Sequence, residues 1–316
     1  MSSLDLTPLA KLVAGVVAFL IISSVVGGIL AFTVKGDKGK ATIANVNARI
    51  RAWWVMVAVF GIAVATGGIG SVVLFALVSF LALREFMTLT PTARSDHAVL
   101  IFSFFIFAPM QYGLVWAQWY GLFSILIPVY AFVAIATRMA LGGDTERFLE
   151  RTATVQWGLM ACVYCVSHAP ALLMLQLPDR PRGGATLLFF FVLVAQINDV
   201  MQFIWGKTLG KHAIAPSVSP NKTWEGFVGG TLTTIGIGAA LWWATPFSPL
   251  VAALMATVIT LLGFAGGLVM SAIKRDRGVK DFGAIIQGHG GVLDRIDSLL
   301  FAAPVFFHLV RFFYVP

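Results

Sequence analysis

Three groups of polar residues interrupt an otherwise apolar chain, and each carries side chains suited to phosphate chemistry. The last reads SAIKRDRGVKDFGAIIQGHGGVLDRID over residues 271–297. Asp294 and Asp297, three apart, project from one helical face and are placed to share one or two hard cations. Arg295 between them points elsewhere, toward a phosphate or the membrane interface. Lys274, Arg275 and Lys280 offer positive charge to phosphates. His289 is flanked by Gly288, Gly290 and Gly291, glycines that let backbone approach a ligand closely and can form an anion-holding nest.

The second group is APSVSPNKTWEGFVGG, residues 215–230. Pro216 and Pro220 interrupt helix, while Ser217, Ser219, Asn221 and Thr223 bring hydroxyls and an amide. Thr223 or Asn221 is placed to cap the helix that follows. Backbone N–H groups at such a terminus, with Lys222 beside them and Glu225 in the first turn, suit a phosphate. The spacing is not that of a Walker A loop. The third group, AQINDVMQFIWGKTLGK, covers residues 195–211 and sets Asn198, Asp199 and Gln202 in an apolar helix. A carboxylate within a span is expensive and faces a partner or a wet cavity. Together, carboxylates for a metal, cations for phosphate and pliable backbone are the parts of metal-assisted phosphoryl or nucleotidyl transfer.

The elements that position these groups are membrane spans. The chain of 316 residues is 59% hydrophobic and 11% charged, with mean hydropathy +0.89, which excludes an ordinary soluble domain. Apolar runs of about 20 residues recur and predict an all-α, polytopic integral membrane protein. Ten spans are expected, near 8–34, 52–66, 68–83, 98–116, 118–136, 154–175, 184–205, 227–245, 250–270 and 294–313; nine or eleven also fit. The first run is too long for the apolar core of a signal peptide and lacks a clear cleavage site, so it counts as a span. The second and third spans are separated by TGGIG (66–70), a tight hairpin. The polar stretch from Lys35 to Arg51 is expected along the cytoplasmic membrane face as a topology anchor. Residues 1–183 supply N-terminal helices and 184–316 the catalytic region, in one integrated membrane domain. Cys162 and Cys165 lie in an apolar span with no second pair, so helix packing accounts for them.

Charge orients the bundle. With the N-terminus outside, the odd-numbered loops hold 18 of the 22 Lys and Arg residues, as positive-inside bias requires of cytoplasmic loops. This bias explains the net charge of +8 without nucleic acid. It places all three polar groups at the cytoplasmic face of an inner or plasma membrane, where nucleotides are.

The same residues resemble the phosphatidate cytidylyltransferase (CDP-diacylglycerol synthase) family. Its signature is matched by Ser271, Lys274-Arg275, Lys280-Asp281, His289-Gly290-Gly291 and Asp294-Arg295-Ile296-Asp297, with the spacing kept throughout. A second segment is matched by Ser219-Pro220-Asn221-Lys222-Thr223-Trp224-Glu225-Gly226. Gly206-Lys207 and Gly210-Lys211 look like the family's Gly-Lys/Arg repeats. The resemblance is strongest over residues 184–313. Departures mark a divergent branch: Asn198 stands where the family has Ala, Gly267 replaces a carboxylate before the signature serine, and Gln287 replaces Pro. Asp199 and Asp281 are the candidates to supply the missing ligand.

The resemblance implies transfer of CMP from CTP to phosphatidate, yielding CDP-diacylglycerol and pyrophosphate. Asp294 and Asp297 would hold Mg²⁺, with room for a second cation. Lys222, Lys274, Arg275 and Lys280 would offset charge on pyrophosphate and lipid phosphate, and no protein nucleophile is needed. The partners implied are CTP, phosphatidate or a related phosphorylated lipid, and membrane lipids; a homodimer is left open. A CTP-dependent lipid kinase, a cytidylyltransferase for another phosphorylated lipid and an inactive relative remain as alternatives. A transporter predicts midplane charges and related halves; here charge crowds one face and no internal symmetry is evident.

Overall fold

The computed structural model describes residues 7–34, 36–177, 183–285 and 290–315. Helix α1 (Pro8–Thr33) begins at a capping Thr7, whose hydroxyl accepts the N–H of Ala10, with Pro8 in the first turn where its missing donor is harmless. It pairs antiparallel with α2 (Asp37–Ala65): Asn47 Nδ2 donates to the Gly27 carbonyl at 3.1 Å, and Trp54 Nε1 to Ser24 Oγ at 3.0 Å. Residues 37–51 are not a separate segment lying along the membrane face. They are the first half of α2, because nothing between Asp37 and the apolar half breaks helix. At 29 residues α2 is about 44 Å long, beyond the ~30 Å hydrocarbon core, so its polar half projects past the bilayer.

Gly67, at φ +81°, turns the chain into α3 (Gly67–Thr88), the tight hairpin expected from TGGIG. The next three spans are α4 (Arg94–Trp116), α5 (Tyr120–Ala140) and α6 (Phe148–Met174). Each contains one stretch of wider π-type turns, Ser103–Phe107, Leu126–Ala131 and Met160–Cys165. Pro109, Pro128 and Pro170 lie within or just after them, and a wider turn accommodates a residue with no N–H to give. Cys162 and Cys165 are buried free thiols in the third stretch, packed as expected.

Helix α7 (Gly183–Thr208) leads to a hairpin of β1 (Ala213–Ala215) and β2 (Ser219–Thr223), antiparallel with Ala213 opposite Thr223 and Ala215 opposite Ser219. This hairpin is the one addition to an all-helical expectation among the described residues. Pro216, at the second position of the turn closed by Val218 N–H to Ala215 O, presets its geometry. Then follow α8 (Trp224–Ala240), α9 (Pro249–Asp276), α10 (Leu293–Leu300) and α11 (Ala302–Tyr314). Among the described residues eight helices are long and apolar enough to cross a membrane, and a ninth span results if α10 and α11, bent by 40°, count as one. Helix α8, at 17 residues, is the remaining element of the expected set.

The polar loops meet at one end of the bundle. Arg151 at the start of α6 reaches Asp96 at 2.9 Å and Asp144 at 2.8 Å, tying the first turn of α4 to the α5–α6 connection. Arg275 Nε donates to the Val218 carbonyl, joining the hairpin turn to the end of α9. Glu85, in the last turns of α3, binds the backbone at the start of α10. Residues before and after 183 therefore interlock around the signature strip.

Candidate active site

Two layers make up the site. The outer layer holds loops in place. Asp294, 6% exposed, accepts Lys274 Nζ at 2.8 Å with one oxygen; the other takes the N–H groups of Phe282 at 2.8 Å and Gly291 at 3.0 Å. Gly290 is required here: its φ is +81°, and a Cβ would stand 2.8 Å from the Asp294 carboxylate. The next two amides, Val292 and Leu293, donate to Glu85 at 2.9 Å each. Glu85 thus occupies the N-terminus of α10, where orphan donors favour an anion. The described part of the glycine-rich turn is a nest filled by the protein's own carboxylates.

Other motif residues also serve this layer. Thr223 caps α8 by accepting the Gly226 N–H at 3.1 Å, as its position predicted. Glu225 turns back to accept the N–H groups of Lys211 and His212 and to pair with His212 Nδ1. Gly226 lets α8 approach α7, since a Cβ would lie 2.8 Å from Gln202 O and 3.0 Å from Gly206 Cα. Asn198, fully buried, donates to Thr260 O and accepts Gln202 Nε2. Ser271 donates to the Gly267 carbonyl one turn back. Arg275, exposed, donates to Val218 O and Val279 O.

The inner layer is different. Asp199 is exposed although it sits within α7, with Asp297, Ser298, Lys222 and Arg295 as its electrostatic neighbours. Asp297, half-buried on α10, faces Lys274, Lys222, Arg295 and Asp294. An exposed carboxylate inside an apolar span, ringed by charge, is the arrangement expected of a wet polar cavity. Lys222 projects into it from β2, its Nζ 4.7 Å from the centroid of Phe264. Burial holds its ammonium below the ordinary lysine range, against the opposing pull of Asp199 and Asp297.

Gly267 belongs to the same cavity. A Cβ there would stand 3.0 Å from Lys222 Nζ and 4.0 Å from Asp297 Oδ2. The position at which the family resemblance implies a carboxylate therefore points into this cluster, and here the lysine occupies the space.

Lys207, Ser217, Lys280 and Asp281 are exposed, and Ser219 is half-buried on β2. Asp281 packs beside Gly290, its Cβ 3.2 Å from where a Gly290 Cβ would stand. His289 lies outside the described residues. Among the described residues, no three His, Cys, Asp or Glu side chains converge as a metal cage. Two carboxylates among lysines and an arginine still suit Mg²⁺, which commonly takes one or two carboxylates and completes its shell with water and substrate phosphates.

Glu85 and the Asp96–Arg151–Asp144 cluster escaped the motif reading. A lone acid near the end of an apolar span was the available signal for Glu85. Arg151 reads in sequence as one more topology charge, yet it is consumed by internal pairs.

The described residues form a helical membrane bundle with carboxylates and lysines gathered at one end, and similarity to known proteins makes it an integral membrane nucleotidyltransferase. The chain belongs to the cytidylyltransferase family, which it matches over residues 47–313. It is 40% identical over 308 residues to the uncharacterised protein YnbB of Escherichia coli (strain K12), covering 96% of this chain and 99% of that protein. It is 38% identical over 173 residues to a phosphatidate cytidylyltransferase of Mycobacterium leprae (strain TN), and 37% identical over 146 residues to one of Staphylococcus aureus (strain COL). These two alignments take in 54% and 46% of this chain and about half of each relative, 53% and 56%.

Proposed function

We propose that this enzyme transfers CMP from CTP to phosphatidate at the cytoplasmic face of an inner membrane, with its N-terminus outside. One non-bridging oxygen of the lipid phosphate attacks the α-phosphorus of CTP. The bond from that phosphorus to the oxygen bridging to the β-phosphate breaks, and pyrophosphate leaves with the electron pair. The products are CDP-diacylglycerol and pyrophosphate. The observation that carries this reading is the exposed Asp199 beside Asp297, Lys222 and Arg295 inside an apolar bundle.

In this reading Lys222 and Lys274 offset charge on the triphosphate, and Arg295 receives the lipid phosphate. Lys280 and Lys207 add positive potential at the cavity mouth, and Ser217 and Ser219 lie beside it. Asp297 and Asp199 hold the divalent cation, with Asp281 in reserve at the loop. When bound, Mg²⁺ would neutralise phosphate oxygens and stabilise charge developing on the leaving group. Asp294 acts at one remove: its oxygens are taken by Lys274 and two amides, so it fixes the lysine and the turn. Position and neutralisation, without a protein nucleophile, supply the catalysis.

Purified protein in proteoliposomes with phosphatidate, Mg²⁺ and CTP labelled at the α- or γ-phosphate tests the reaction type. Label from the α-phosphate in the lipid product, and from the γ-phosphate in pyrophosphate, is the expected outcome. Lipid labelled from the γ-phosphate would make the enzyme a kinase.

A further inference from the structure

Beside the carboxylate cavity lies a second space of about 580 Å³, bounded by α2, α3, α7 and α10. Its walls are unlike at the two ends. Arg51, near the middle of α2, and Arg295, in the first turns of α10, line the end shared with Val292 and Ile285. Phe60, Leu74 and Phe75, close to the α2–α3 turn, line the other. The Arg295 Nε is buried and has no hydrogen-bond partner among the described residues. A buried guanidinium N–H left unpaired is expensive, which points to an acceptor that the described residues do not provide. Arg295 is also an electrostatic neighbour of both Asp199 and Asp297. An anion held at Arg295 is thereby next to the catalytic cavity.

A third space, of about 720 Å³, runs between α1, α2, α7 and α8. Trp53 and Gln196 line both spaces and so form the wall between them. Most of the walls are apolar, although Lys11 and Arg49 also line the third space, and both volumes fall within the ~300–1,000 Å³ usual for ligand sites. Helix α1 and the first turns of α2 precede residue 47, where the family match begins.

We propose that these two spaces are the binding site of a phosphorylated diacyl lipid. Its phosphate is clamped by Arg51 and Arg295, and its two tails are parted by Trp53 and Gln196. The occupant follows from charge complementarity: two guanidinium groups at one end match an anionic headgroup, and twin apolar channels match twin chains. A bilayer lipid without a phosphomonoester can fill apolar channels, but it brings less charge to the arginine pair. The assignment gives α1 and α2 a purpose beyond anchoring, because α1 closes the second channel. It rests on the proposed use of phosphatidate and adds where and how that lipid is held.

Photo-crosslinking tests it without CTP. The full-length protein in phosphatidylcholine nanodiscs is exposed to phosphatidate bearing a diazirine in one acyl chain, and adducts are mapped by mass spectrometry. Adducts are expected on α2, α3 and α10 at residues such as Phe60, Val78 and Leu299. Unlabelled phosphatidate should compete, and inorganic phosphate should not. Arg51→Ala should lower labelling about tenfold, the loss of one charged hydrogen bond. Val78→Trp, at a half-buried position lining the channel and leaving both arginines intact, should lower it as well, so one misfolded variant does not decide the matter. Adducts confined to outward residues such as Phe203 and Leu232, or labelling unchanged in both variants, would overturn the assignment. Equal competition by inorganic phosphate would reduce the site to an anion site and also overturn it. Channel labelling in a protein that does not transfer CMP would leave the lipid site standing and refute the reaction; transfer without channel labelling would do the reverse.

Discussion

The carboxylate of Glu85 accepts the backbone N–H of Leu293 at 2.9 Å, across 208 positions of sequence. Its second oxygen accepts Val292 N–H, so one side chain from α3 fixes the entry to α10, the helix carrying both signature aspartates. Glu85→Ala leaves two amides without partners, at about 1–3 kcal/mol for each that stays dry. Thermal unfolding in detergent should fall by several degrees and transferase activity should fall with it. Glu85→Gln, which keeps one acceptor, should lie between Ala and wild type. Unaltered melting of Glu85→Ala would remove this role.

Lys274 and Asp294 form a buried ion pair at 2.8 Å. Breaking one partner of such a pair typically destabilises by about 3–5 kcal/mol, because the remaining charge stays buried. Asp294→Asn should therefore act first on stability, and adding Lys274→Met to it, which removes the unpaired cation while the Asn oxygen still accepts the Phe282 and Gly291 amides, should recover much of the loss while remaining inactive. Equal stability of Asp294→Asn and wild type, measured by denaturant titration, would contradict a positioning role.

Much of this arrangement was legible in the sequence. The strip's pattern of Lys274, Arg275, Asp294 and Asp297 announced charge in one place, and Thr223 announced a helix start. Periodicity cannot reveal which acid meets which amide, so Asp294 reads as a free ligand until the turn at Phe282 and Gly291 closes on it. Nor does composition predict that the polar residues 37–51 remain helical, since helix α2 is decided by the absence of a breaker rather than by amphipathic spacing. Glu85 stayed hidden because its partners are backbone groups two hundred residues away.

Lys222 has a depressed ammonium pKa through burial. A lysine of this kind loses its proton as pH rises through a value below the ordinary ~10.4, and with it the charge proposed to face the triphosphate. The kcat/KM for CTP should decline on the alkaline side earlier than an unperturbed lysine would give. Lys222→Arg keeps its charge there, so its decline should be deferred to higher pH even if its activity is lower throughout. Superimposable alkaline limbs would exclude Lys222 as the titrating group.

Gly267 offers a test of the lost carboxylate. An Asp introduced there meets Lys222 Nζ, 3.0 Å from its Cβ position, before any cation. Gly267→Asp should pair with that lysine and raise the KM for CTP about tenfold, the worth of one withdrawn charged contact. An improved KM would show that Lys222 is not needed free.

The exposed Asp199 and the half-buried Asp297, beside Lys222 within the bundle, are the proposed seat of nucleotidyl transfer. CMP transfer from CTP to phosphatidate by Asp297→Ala in proteoliposomes, with Mg²⁺ and folding verified by melting, tests it most directly. The account predicts a loss on the order of 10²–10³-fold with the melting temperature kept, the scale of removing one preorganised electrostatic group. Undiminished transfer by the folded variant would contradict it.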